Sequence, residues 1–225
     1  MDLGEARVLA RWDDTRRVFA VRVWHPLFVR LPVNARRQVA FLFLDDLLGE
    51  EEVERWVGAF DLAEDPSGSM TADEFRSEVK ERAGAVGADS WVLAEVKDKQ
   101  GGLVAFVSAD AGLKPIDHPL AIHYLAVRID RGFEQLANSP ESDAVSAAQD
   151  ELEASLGETA LPAGRVTERR TRTLWYVCED PVRVERIAKA WADHHRAYRV
   201  RVTVKRDPGW TFRLELLGQT SGIGP

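Results

Sequence analysis

From residue 121 to 129 apolar and polar positions alternate. Ala121, His123, Leu125, Val127 and Ile129 fall on one side, and Ile122, Tyr124, Ala126 and Arg128 on the other. A period of two with β-branched residues and Tyr predicts a half-buried strand. Pro115 and Pro119 precede it and mark a turn. The stretch 115–130 thus reads as a hinge and the first strand of a second domain. Downstream, Val145, Ala148, Leu152 and Leu156 recur at helical spacing, after a start signal at Asn138-Ser139-Pro140-Glu141 and before Gly157. Residues 165–173 and 173–179 predict two strands folded near Arg169-Arg170. Asp180 then caps, and Pro181 opens, a helix with Val184, Ile187, Ala188 and Trp191 on its core stripe. Residues 199–206 alternate sharply, with Val200, Val202 and Val204 inward. Beyond the turn Asp207-Pro208-Gly209, the alternation of Trp210, Phe212, Leu214 and Leu216 predicts a last strand, with Arg213 and Glu215 outward.

The first half carries similar signals. Residues 8–12 and 17–24 predict strands joined at Asp13-Asp14-Thr15. Asn34 is placed to cap a helix that runs from Ala35 to the stop at Gly49. Its run 39–44 is apolar all round, so a buried strand is the alternative there. Residues 53–62 predict a strand. Thr71 and Glu74 form a capping box for a helix over 72–83, with Phe75, Val79 and Arg82 or Ala83 on its inner stripe. Residues 91–96 and 103–108 predict a hairpin, whose Gly101-Gly102 is a turn, since no helix or GK[ST] follows. The expected fold class is therefore α+β: two antiparallel-sheet/helix sandwiches, the second a ferredoxin-like βαββαβ layer. The expected domains are 1–114 and 115–218, with a flexible tail over 219–225.

Composition alters this picture little. The chain has 225 residues, of which 45% are hydrophobic and 30% charged, as in ordinary globular proteins. Its one cysteine, Cys178, excludes an internal disulfide framework and any cysteine-based zinc cluster. The N-terminus lacks the basic start and apolar core of a secretory signal, and the apolar run 39–44 is too short to span a bilayer. The expectation is a cytoplasmic protein with no membrane partner.

Charge is more informative. The net charge is −7, yet residues 163–217 hold 13 Lys and Arg against 7 Asp and Glu. An acidic body thus carries a basic C-terminal segment: either the two parts attract each other or solvate separate faces, or the basic segment meets an acidic partner. With Val200, Val202 and Val204 under the helices, Arg199, Arg201 and Lys205 fall on the open face of the sheet, with Arg213 nearby. These four are the candidate partner-binding residues. Sheet modules that bind RNA pair such a face with stacking aromatics. Alternation turns either Trp175 or Tyr176 outward, but the RNP-type sequence is absent.

No catalytic motif is present: there is no G-x-S-x-G, H-E-x-x-H, C-x-x-C or Rossmann fingerprint. No catalytic, cofactor-binding or metal residue is assigned, and no cofactor is expected. An enzyme would need Asp45, Asp46, Glu50, Asp117, His118 and His123 to be brought together by the fold. Asp117-His118 has the makings of a base and its orienter, and two histidines could start a metal site. The bland readings are a polar turn and a core histidine. The acids at 45–52 lack the order of a calcium loop and read as a solvated turn or the partners of an arginine. His194 and His195 fall in a helix's last turn, where cations are favoured.

Short motifs resemble a known family. Phe43-Leu44-Asp45, Leu48-Gly49-Glu50 and Trp56-Val57-Gly58 are similar to a segment of the family called domain of unknown function 695. Leu113-Lys114, His118-Pro119 and Leu125-Ala126-Val127 fit its middle. Glu151-Leu152-Glu153, Gly164-Arg165-Val166-Thr167 and Trp175-Tyr176-Val177 fit its later part. Residues 176–217, with Asp207 followed by Trp210, resemble the regulator of ribonuclease E inhibitor family. The resemblance implies a ferredoxin-like C-terminal domain and a regulatory, protein-binding role in the bacterial cytoplasm, without catalytic residues. This segment departs from that regulator's acidic surface by being basic, which favours a different partner.

Overall fold

The computed structural model describes residues 3–85, 90–130 and 140–220. Asn138 and Ser139, expected at a helix start, lie outside these residues, as does 221–225 of the expected tail. The chain forms an α+β fold in two compact units, Met1–Ser90 and Trp91–Pro225.

In the first unit, β1 (Arg7–Asp13) and β2 (Val18–Trp24) pair antiparallel. They are followed by α1 (Val33–Leu48), α2 (Glu50–Trp56), β3 (Val57–Leu62), β4 (Met70–Thr71) and α3 (Ala72–Ala85). The sheet order is β3-β2-β1-β4, and β3 runs parallel to β2, so this sheet is mixed rather than purely antiparallel. Val8, Phe19, Val21 and Val23 meet Phe43, Leu44, Trp56, Phe75 and Val79 in its core. The expected strand over 53–62 splits, because residues 50–56 are helical. Glu50, Glu51 and Glu52 occupy the first turn of α2, where carboxylates complement the helix dipole. Arg55 bridges Glu51 and Glu52, and the Trp56 indole donates to Glu52 at 2.7 Å. Asn34 does not cap α1; Pro32 stands at that position without a side-chain bond. The capping box does form: Glu74 accepts from the Thr71 N–H at 2.6 Å.

The second unit contains β5 (Trp91–Lys97), β6 (Leu103–Asp110), β7 (His123–Asp130), α4 (Pro140–Leu156) and β8 (Ala160–Glu168). It continues with β9 (Thr171–Cys178), α5 (Pro181–His194), β10 (Arg199–Arg206) and α6 (Thr211–Thr220). Its six strands are antiparallel in the order β10-β7-β9-β8-β6-β5. The run β7-α4-β8-β9-α5-β10 is thus a βαββαβ layer whose first strand lies inside the sheet and whose last strand is an edge. Leu125, Val127, Ile129, Leu174 and Tyr176 pack beneath Val145, Leu152, Val184, Ala188 and Trp191 of the two helices.

Three expectations are corrected here. The hairpin 91–110 belongs to the second unit, since β6 pairs with β8, so the chain divides after Ser90 and not at 114. The β6–β8 approach is close: a side chain at Gly164 would come within 2.9 Å of the Ser108 carbonyl oxygen. Residues 211–220 are helical, not a last strand followed by a tail. Trp210, Phe212, Leu216 and Leu217 fit a helix buried against Val107, Ala109 and Val177, on the sheet face opposite α4 and α5.

The turn into α6 is tightly held. Trp210 adopts a left-handed φ of 48°, which costs a non-glycine residue about 1 kcal/mol or more. Its indole donates to the Ala121 carbonyl at 2.7 Å and offsets this strain. Asp207 accepts from the Thr211 hydroxyl at 2.8 Å and the Phe212 N–H at 3.2 Å. Burial alone would raise the Asp207 pKa, but the hydrogen bonds from Thr211 and Phe212 outweigh it and hold the carboxyl below its ordinary range. A depressed folded pKa contributes stability above the unfolded value, near about 4, and loses it as pH falls through the folded one. Asp207→Asn is therefore expected to flatten the acid limb of the second unit's stability curve below about pH 5, measured by urea unfolding against pH. An unchanged limb would show that these bonds do not favour the charged carboxylate.

Candidate functional site

Strand alternation divides the βαββαβ sheet into two faces. Leu125, Val127 and Ile129 of β7 turn toward α4 and α5, so Tyr124, Ala126 and Arg128 turn the other way. The register carries this division across the sheet. Val200, Val202 and Val204 sit opposite Ile129, Val127 and Leu125, while Arg199, Arg201, Thr203 and Lys205 sit opposite Asp130, Arg128, Ala126 and Tyr124. On the far side of β7, Trp175 and Thr173 lie opposite Ala126 and Arg128.

One face of β10 and β7 thus carries Arg128, Arg199, Arg201 and Lys205, all exposed. Among the described residues none of the four forms an ion pair. Arg128 and Arg201 are direct cross-strand partners. Like charges in that position oppose sheet formation. The pair is legible in sequence only once the register is known, and Arg128 was missed for that reason.

Arg213 is corrected. It is 6% exposed on α6, and its guanidinium donates to the carbonyl oxygens of Asp110 at 3.2 Å and Ala111 at 2.9 Å. Burial pushes its pKa down to about 10, against the raising effect of Asp110. It clamps α6 to the end of β6 and is no surface contact. Helical phase accounts for this, since Arg213 follows Trp210 by three residues and precedes Leu217 by four.

Trp175 is the aromatic that shares the basic face, but it is already covered. Phe212 of α6 stacks on it with centroids 5.3 Å apart and an interplanar angle of 10°, and Tyr124 packs beside both rings. Tyr176 faces the helices. Burial, and then the Glu153 carboxylate 3.4 Å from its hydroxyl, raise its pKa above the ordinary phenol value.

The candidates for catalysis occupy several settings. Asp45 and Asp46 lie in the last turn of α1, and Glu50 opens α2, in the first unit. In the second unit Asp117 is in a 3-10 turn, His118 stacks near Trp210 at 6.4 Å, and His123 begins β7. His194 and His195 bond through Nδ1 to the carbonyls of Ala190 and Trp191, within the last turn of α5. Among the described residues no three His, Cys, Asp or Glu side chains are grouped to hold a metal ion.

A cleft of about 750 Å³ opens beside the start of α5 and is lined by Glu158, Cys178, Asp180 and Arg183. The Cys178 thiol is pushed up to about 11, first by burial and then by Asp180, so it stays protonated near neutral pH and is a poor nucleophile. Asp180 accepts from the N–H groups of Val182 and Arg183, which uses the helix N-terminus for capping.

Comparison with protein-family models, with curated proteins and with solved structures finds no match to this chain. No described helix is long and apolar enough to cross a membrane.

Proposed function

We propose that this protein is a binding or regulatory module that docks an acidic protein surface on the basic face of β7 and β10. One observation carries the reading: Arg128 and Arg201 are set directly opposite each other on adjacent strands. That arrangement costs stability in the free protein. An anionic partner would offset the cost, and Arg199 and Lys205 extend the same field along β10. Opposed charges of this kind steer encounter and exclude wrong partners.

The covered state of Trp175 favours a protein over single-stranded nucleic acid, whose bases need a free aromatic face. The reading rests on this surface. A cytoplasmic location is part of the proposal, since a lone cysteine stays reduced there.

The test is capture of partners from nuclease-treated lysate of the source cells, with wild type and with an Arg199→Glu/Arg201→Glu/Lys205→Glu variant. The expected result is a protein with an acidic surface that survives nuclease and is lost with the variant. Retention by the variant would sink the proposal. Loss of all partners on nuclease treatment would assign the face to nucleic acid.

A further inference from the structure

The strand that carries most of these cations is also a sheet edge. β10 pairs with β7 on one side and, among the described residues, with no strand on the other. Its eight residues pair with β7 without a register shift and include no Pro or Gly. The free edge is therefore regular over about 27 Å at the usual rise per residue. Every second residue along it presents both its N–H and its C=O outward.

The two sides of this edge differ in chemistry. Arg199, Arg201 and Lys205 project to one face, with Arg128 in the row behind. Val200, Val202 and Val204 project to the other, half-buried against the core that Val184, Ala188 and Trp191 of α5 share. A strand laid along the edge would alternate in the same way.

Cations on an edge also serve to keep other strands away. That purpose does not account for Arg128, which lies on an interior strand. Nor does it require the charges to share one face. A cationic edge rejects neutral and basic strands and admits an acidic one, so it selects as well as protects.

We infer that the partner docks by strand addition, as an extended segment with Asp or Glu at alternate positions and aliphatic residues between them. The inference rests on the reading of the basic face as a docking surface. The added strand supplies main-chain hydrogen bonds to β10. Its carboxylates meet Arg199, Arg201 and Lys205, and its aliphatic residues continue the valine row toward α5.

Two ten-residue peptides of identical composition test this, one alternating Glu with Val and Thr, the other with its Glu residues in a block. Two further versions of the alternating peptide carry backbone N-methyl groups on one or the other alternate set of residues. The full-length protein is titrated with each, and amide hydrogen exchange is followed across β10.

The alternating peptide is expected to bind about tenfold or more tighter than the block isomer and to slow exchange in β10. Methylation of one alternate set should abolish binding, and methylation of the other should leave it. Equal binding of both isomers, indifferent to methylation and without slowed exchange in β10, would overturn strand addition while leaving the basic face a docking surface for acids. If neither isomer binds, strand addition at this edge is again overturned, and the docking reading stands or falls on capture from lysate.

Discussion

Trp191→Ala is expected to destabilise the second unit by about 3–5 kcal/mol, the range for removing a large buried aromatic. Trp191 is 5% exposed on α5. Its indole donates to the Ala148 carbonyl of α4 at 3.0 Å, and its ring stacks on His195 at 4.6 Å. The residue thus joins the two helices that cover the sheet, and its loss leaves a cavity and breaks the bond between α4 and α5. Trp191→Phe keeps most of the packing but not the bond and should cost clearly less, about 0.5–1.5 kcal/mol for the lost hydrogen bond. Urea unfolding, with amide exchange in β7 and β9 to follow this unit, measures both. A loss below about 1 kcal/mol for Trp191→Ala would show that α5 is not anchored through this side chain.

Arg201→Glu is expected to move stability and binding in opposite directions. It replaces the like-charged pair with Arg128 by an opposite-charged one, which should raise stability by about 0.2–1 kcal/mol. The same change puts a carboxylate in the middle of the proposed docking face, and affinity for an acidic partner should fall by roughly tenfold or more. Arg186, exposed on α5 on the other side of the sheet, is the control. Arg186→Glu should leave binding near wild type. A variant at 201 that loses stability and binding together would mean that the arginine holds the sheet and that the charge pair has no cost for a partner to offset.

Much of the βαββαβ core was legible in the sequence because its signals agree. The alternation of β7 and β10, the stripe of α4, and the Asp180-Pro181 start of α5 all point to one layer, and the structure contains each. The failures have physical causes. Trp210, Phe212, Leu214 and Leu216 alternate as a strand would, yet Leu214 is exposed and Arg213 buried, because helix formation against Val107 and Ala109 buries Leu217 as well. A four-residue apolar alternation also satisfies part of a helical period, so pattern alone could not separate the two.

The hairpin β5–β6 was read correctly as an element and assigned to the wrong unit. Its partner β8 lies more than fifty residues downstream, and a strand's sequence does not name its neighbour. The same limit hid one of the four residues of the candidate site. Arg199, Arg201 and Lys205 followed from the alternation of one strand, whereas Arg128 joined them only through cross-strand register. The covering of Trp175 by Phe212 depends on α6 being a helix, so the error there also concealed the feature that turns the face away from base stacking.

Site-specific photo-cross-linking tests the docking claim most directly. A photoreactive residue at Thr203, between Arg201 and Lys205 on the basic face, is compared with one at Lys189, exposed on α5. The account predicts a cross-link from position 203 to an acid-rich segment of a protein partner, and none from position 189. Cross-links from 189 without any from 203, or adducts at 203 to nucleic acid alone, would contradict it.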